Sequence, residues 1–410
     1  TSQITFDDYI VGLFVLATFV FENARFSKLF SIIQVGFFLY FIWLLLTEKK
    51  MPLNPVVKWA CMVAGFAIIL LTFHDRPSVE TATISLIKNC LKALCISLYL
   101  FKRKTPVPLI SSIAFSGIIC GAELLAGFLS SSLSFTELKY ATNSRIGADI
   151  AGGNVNIVAM NMCFAFSAWL YLIRSQKKPW IQRVFYGCLI FIAGTALLTG
   201  TRKILPFFVI TFFMANSDMK FKYKLITFIG IVGLYLALIN IEPLYFLVGH
   251  KIDFFNTSKA YSMYKGSDSD RLMLALGAID LFTNHPFGLG FGNVVNYLGA
   301  YAHNNYAEVL ASAGIFGFIL YYGLYFWGLH ISYRNRHDAI SRYCLFTLVG
   351  LMVIEFGQVT YLYSLPFFFF PILIGSFFQQ LYNTVDTIIV GQACGTNALA
   401  AVGSTGNLTN

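Results

Sequence analysis

Charged side chains are scarce. Asp, Glu, Lys and Arg make up 12% of the 410 residues, about half the share of an ordinary soluble domain. That scarcity excludes a conventional water-soluble fold. Segments alternating apolar and polar residues are also lacking, which argues against a membrane β-barrel. The eight cysteines (Cys61, Cys90, Cys95, Cys120, Cys163, Cys188, Cys344 and Cys394) have no metal-type spacing. None falls in a loop expected to face an oxidising compartment, so they read as apolar thiols. No internal repeat is visible, and no strand precedes a glycine fingerprint of the dinucleotide-binding type.

What is abundant is apolar: 57% of the chain is hydrophobic. These residues fall into runs of roughly 17–25, the length that carries a helix across a ~30 Å hydrocarbon core. The expected fold is all-α, a polytopic transmembrane helical bundle of about 11–12 spans. Spans are expected near 9–22, 29–46, 56–73, 81–101, 107–129, 153–173, 184–200, 203–216, 224–246, 305–330, 341–363 and 367–390. The first lacks a basic leader and a small-residue cleavage site, and reads as a retained helix. Between the ninth and tenth lies one long loop, 247–304.

The net charge of +10 follows membrane topology, not nucleic acid. Alternate loops hold sixteen basic residues in five short stretches, from Lys49 to Arg342. The other set holds eleven, four of them in the long loop, which the positive-inside rule discounts. The expected N-terminus is cytoplasmic, with 131–152, the turn around 201 and 247–304 facing outward.

That orientation collects Arg145 in "TNSRIGADIAGGNVN", Arg202 in "LLTGTRKILPFF", Arg271 in "SDSDRLMLALG" and His303 in "AYAHNNYAEV" on one side. Arginine suits bidentate contact with phosphate oxygens and keeps its charge near lipid. Arg202 and Lys203 could equally be flanking residues that reach for headgroups. Histidine is the default base near neutral pH, and Asn304 beside it is a candidate hydrogen-bond partner. Gly288, Gly290 and Gly292 alternate in "HPFGLGFGN", where a backbone could approach a ligand or turn sharply. Asp268 and Asp270 read as a helix start rather than a metal pair, with 270–284 an amphipathic helix on the outer surface. Lys88 and Lys92 are expected to pair with Glu123 inside the membrane.

Taken in order, "LLTGTRKILPFFVI", "DRLMLALGAIDLFTNHPFGLGFGN" and "HNNYAEVLASAGIFGFILY" resemble the conserved segments of the O-antigen polymerase and ligase superfamily, over about 10–362. "SRIGADIAGGNVNIVAMN" resembles that superfamily's preceding segment. The resemblance implies a membrane domain at 1–362 that acts as a glycosyltransferase at the outer leaflet. Its donor would be an undecaprenyl-pyrophosphate-linked oligosaccharide, with no metal or cofactor and no nucleic acid. Arg202 and Arg271 would hold the departing pyrophosphate and His303 would activate the acceptor hydroxyl. Arg145, Asn304, Gly288 and Gly290 would contact substrate. Membrane lipids, a flippase and a chain-length regulator would be its partners. Residues 366–410, with "QQLYNTVDTIIVG" and "ALAAVGSTG", resemble instead the first helix of multidrug and toxic compound extrusion transporters, with a junction near 361–367. Three alternatives stand beside the polymerase: a ligase transferring a finished glycan, a flippase or transporter, and a scaffold protein.

Overall fold

The computed structural model describes residues 4–22, 27–48, 53–74, 76–130, 155–245, 249 and 261–373. Among these every regular element is helical and no strand occurs. In chain order the helices are α1 (Phe6–Phe21), α2 (Ser27–Glu48), α3 (Pro55–Phe73), α4 (Pro77–Arg103), α5 (Val107–Ser130), α6 (Val155–Ser175) and α7 (Pro179–Leu198). There follow α8 (Ile204–Ala215), α9 (Phe221–Asn240), α10 (Tyr261–Asn284), the short α11 (Val294–Leu298), α12 (Asn305–Arg334), α13 (Ala339–Glu355) and α14 (Ser364–Leu373). Eight described helices are long and apolar enough to cross a membrane. The chain is a multi-pass helical membrane protein.

The helix starts are written locally. Asn54 accepts from Val57 N at 2.9 Å ahead of Pro55, and proline also opens α4 and α7. A proline there loses only an N–H that a helix leaves unbonded anyway. Asp338 caps α13 by accepting from Ser341 N at 2.8 Å. Packing then ranks the spans. In α6, 83% of the most apolar stretch is buried, against 6% in α9. So α6 is the hub and α9 faces lipid. Gly117 of α5 lets that helix close against Ala165 of α6, where any added Cβ would collide, as small residues do between membrane helices.

The helix ends fall into two groups. At one end Lys102 Nζ lies 3.1 Å from Asp7 and 3.4 Å from Glu48, and Arg103 lies 3.0 Å from Asp8. At the same end by alternation, Arg174 pairs with Asp218, and Arg342 lies 3.7 Å from that carboxylate. These belong to the basic loops that the charge count grouped together. At the other end Lys203 Nζ donates to Gly357 O at 3.1 Å and Asn304 Nδ2 to Phe356 O at 3.4 Å.

Three expectations need correction. The expected span 341–363 stops at Glu355; a turn segment follows, and α14 starts at Ser364. Helix α10 begins at Tyr261, so Asp270 sits inside it and caps nothing. Its Ala278 packs in a small core with Ala302, Ala307 and Ala311, which sets it lengthwise along the start of α12. Third, the buried lysine has a different partner. Lys92 Nζ lies 3.9 Å from Glu22, 3.0 Å from Asn89 Oδ1, and against Ser364 Oγ. Lys88, one turn earlier on α4, is exposed, and Glu123 is only half-buried on α5. The cluster ties α1 and α4 to the start of α14, where Phe367 to Phe370 are fully buried in the main core. Packing therefore continues through the expected junction at 361–367; residues 374–410 lie outside the described residues.

Breaking one side of a buried pair leaves an uncompensated charge, at a cost of about 3–5 kcal/mol. Glu22→Gln should lower the thermal unfolding temperature in detergent, and adding Lys92→Met should recover part of the loss. Equal losses in the single and double variants would mean that the two side chains are not coupled.

Candidate functional site

The turn between α7 and α8 is built so that two cations emerge together. Thr199 Oγ1 donates to Ala196 O at 2.7 Å and accepts from Thr201 N at 3.4 Å. Gly200 takes the left-handed region (φ 63°) and its N–H returns to Leu197 O at 3.0 Å. With both threonines buried, the half-buried Arg202 and Lys203 lead out of the turn. Lys203 is then fixed on Gly357 O, in the segment that leaves α13.

Each residue of "HNNYAE" has a distinct job. Asn304 is the N-cap of α12, accepting from Ala307 N at 3.0 Å, the role for which short polar side chains are favoured. Asn305 is fully buried; it donates to Tyr322 OH at 2.8 Å and accepts from Thr360 N at 2.9 Å. Glu308 reaches back and accepts from Ala302 N at 2.7 Å. Residues on both sides of His303 are thus anchored, and His303 itself takes the left-handed region at φ 55°, uncommon for a residue with a Cβ. Its ring lies against Tyr301, centroids 4.1 Å apart.

Beneath this junction lies a buried carboxylate. Glu355 accepts from Tyr325 OH at 2.7 Å, from Tyr322 OH at 3.1 Å and from Thr360 Oγ1. The network joins the middle of α12 and the end of α13 to the segment leading into α14. A buried carboxylate is tolerable only when its lone pairs are satisfied in this way.

The glycine turn docks on a break in α12. At Gly314 the backbone leaves helical geometry (φ 66°, ψ −172°). Leu289 N donates to Ala311 O at 3.0 Å, Gly290 N to Ser312 O at 2.8 Å, and Ile315 N to Pro286 O at 3.0 Å. A Cβ on Gly288 would stand 2.6 Å from Ala313 C and Ser312 O, so only glycine permits the contact. Gly290 packs in turn on Val79 and His74. The close approach at Gly288 and Gly290 is therefore protein on protein.

Electrostatics tie the pieces together. Burial pushes the His303 imidazole down to about 4, and the Arg271 guanidinium and Lys203 ammonium add to the depression. Two positive charges from separate segments are thus felt at one ring, which is neutral at physiological pH. Of the expected site residues, Arg271, His303 and Asn304 come together, with Arg202 in the turn that delivers Lys203. Arg145 lies outside the described residues, as does the side chain of Asp268. Lys203 was legible only as a flanking residue, Glu308 only by its place in the helix, and Glu355 not at all. The signal for Glu308 was its position four residues after the N-cap.

These features define a class: a polytopic helical membrane protein with a cationic, histidine-containing site at one end of its bundle. Residues 187–322 match the family model described as O-antigen ligase, which bears out the resemblance to the O-antigen polymerase and ligase superfamily. The match runs from α7 into α12 and includes Arg202, Lys203, Arg271, Gly288, Gly290, His303 and Asn304. No curated protein matches the chain.

The imidazole should titrate accordingly. With a folded value near 4 against 6.5 for the free side chain, the unfolded chain binds the proton first, so stability falls as pH drops from about 6.5 towards about 4. A histidine NMR signal absent from His303→Gln should move with a midpoint near 4, and Arg271→Gln should raise that midpoint. A midpoint at 6.5 or above in the unmodified protein would contradict the placement.

Proposed function

We propose that this protein polymerises lipid-linked oligosaccharide repeat units into a surface polysaccharide on the outer leaflet. The donor would be a sugar carried on undecaprenyl pyrophosphate, and no metal would be required. In the reaction an acceptor hydroxyl oxygen attacks the anomeric carbon of the donor sugar. The bond from that carbon to the diphosphate oxygen breaks, the lipid diphosphate leaves with the electron pair, and the hydroxyl proton passes to His303. Such a leaving group is already good, so the enzyme mainly needs positive charge where the diphosphate departs and a base opposite it. Arg202, Lys203 and Arg271 would supply the charge.

The observation that carries this reading is that Arg202, Lys203, Arg271 and His303 all fall within the stretch that matches the O-antigen ligase family model, with Arg271 and Lys203 close enough to act on the His303 ring. A bound diphosphate would offset the part of the His303 depression due to Arg271 and Lys203, burial being its largest cause. Arg145, Asn304, Gly288 and Gly290 complete the proposed surroundings; Asn304 and the glycines act there through the backbone they position. The domain would extend over 1–362, with the N-terminus cytoplasmic, and with a flippase and a chain-length regulator as partners.

Arg202→Ala, Arg271→Ala and His303→Ala should each abolish polymer while the protein stays in the membrane at its usual level. Full polymer from any two of them would remove the assignment. A second reading, transfer of a finished glycan to an acceptor, is favoured by the matched family's description as a ligase. A deletion strain separates the two. Single repeat units at the surface are expected for a polymerase, and long chains left on the carrier would replace that reading with the ligase.

A further inference from the structure

A cleft at the end of the bundle away from His303 is lined by Tyr171, Arg174, His337, Ala339, Arg342 and Phe346. It lies where α6 ends and α13 begins, at the boundary between apolar spans and polar loops. Its floor is aromatic, since Tyr171 and Phe346 are buried. Its rim is cationic and held in place. Arg174 pairs with Asp218 and donates from Nη1 to Asn216 Oδ1 at 3.2 Å. Arg342 donates from Nε to Arg336 O at 3.1 Å, while its Nη1 stops 3.7 Å from Asp218, beyond hydrogen-bond reach. That guanidinium is therefore anchored by its inner nitrogen, and Arg342 lines the cleft together with Arg174. Lys224 adds another charge beside Asp218 by donating to Ser217 O at 2.7 Å. Against Arg174, Arg336, Arg342 and Lys224 stand two carboxylates: the shared Asp218, and Asp338, which is occupied as the cap of α13.

We propose that this cleft binds a phosphate group, with Arg342 as the bidentate ligand and Arg174 as the second cation. Two sources share that chemistry: the headgroup of an anionic phospholipid, and free phosphate from the aqueous side. A planar guanidinium suits two phosphate oxygens in a way that an ammonium does not. Basic clefts between spans at the membrane boundary are where anionic headgroups are held. The aromatic floor offers apolar contact just below the charge. The site is separate from His303 and does not depend on the function proposed for it.

The full chain should be purified and exchanged into mixed micelles of phosphatidylglycerol and phosphatidylcholine. Native mass spectrometry then reads which lipid stays bound. One phosphatidylglycerol should be retained in preference to phosphatidylcholine. Arg342→Gln should weaken that retention about tenfold, the loss of one charge-assisted contact. Asp218→Asn, which removes the competing carboxylate, should strengthen it. Should Arg342→Gln fail to insert, Asp218→Asn decides alone. Competition by millimolar inorganic phosphate identifies free phosphate as the source, and its failure identifies the headgroup. Equal retention of the two lipids with no effect of inorganic phosphate, or affinity unchanged by either substitution, would overturn the proposal.

Discussion

Within hydrocarbon no backbone group can be left to water, so any break in a spanning helix must be mended by protein. The break at Gly314 is the constraint on which the site depends. It opens the carbonyls of Ala311 and Ser312 and the N–H of Ile315, and all three are taken up by the turn from Pro286 to Gly290. That exchange pins the end of α10 beside α12. Because Ala278 packs against Ala302, Ala307 and Ala311 on the way, Arg271, two turns earlier on α10, is carried to the level of His303. The glycine turn from Pro286 to Gly290 thus acts at a distance, through helix placement.

The same logic governs the charges. Buried carboxylates are each given a specific set of donors: Glu308 takes a backbone N–H, Glu355 three hydroxyls, and Glu22 a lysine and a serine. Glu355 and Glu22 thereby tie α12, α13 and the end of α1 to the segment around the start of α14. The cations near His303 are arranged differently. Lys203 and Arg271 are half-buried at the end of the bundle, and their effect on the imidazole is repulsive. Like charges held close repel, and an anion placed between them would relieve that repulsion.

Much of this was legible in the residues, for definite reasons. Span positions follow from length and hydropathy, and the shared side of Arg202, Arg271 and His303 follows from counting spans. The end of α13 was not legible, because "GQVTYLYSLPFFFF" remains apolar enough to continue a span, and hydropathy carries no mark of where helical geometry stops. The start of α10 was misjudged because Ser and Asp before an apolar run ordinarily cap helices, while here the helix was already under way. Lys92 could be recognised as a buried charge, but the choice of Glu22 over Glu123 is set by which face of α4 meets α1. Lys203 shows the same limit. Beside Arg202 it has the pattern of a headgroup-seeking flank, and only its bond to Gly357 O and its effect on His303 distinguish it.

The central claim is that the guanidinium and ammonium groups around His303 form one seat for a departing diphosphate. A structure of the full chain in lipid nanodiscs with undecaprenyl pyrophosphate bound tests it most directly. The account predicts phosphate density in contact with Arg271 and with Arg202 or Lys203, and the His303 ring on the side where the sugar was attached. Diphosphate density elsewhere on the bundle, with these side chains still apart from it, would contradict it.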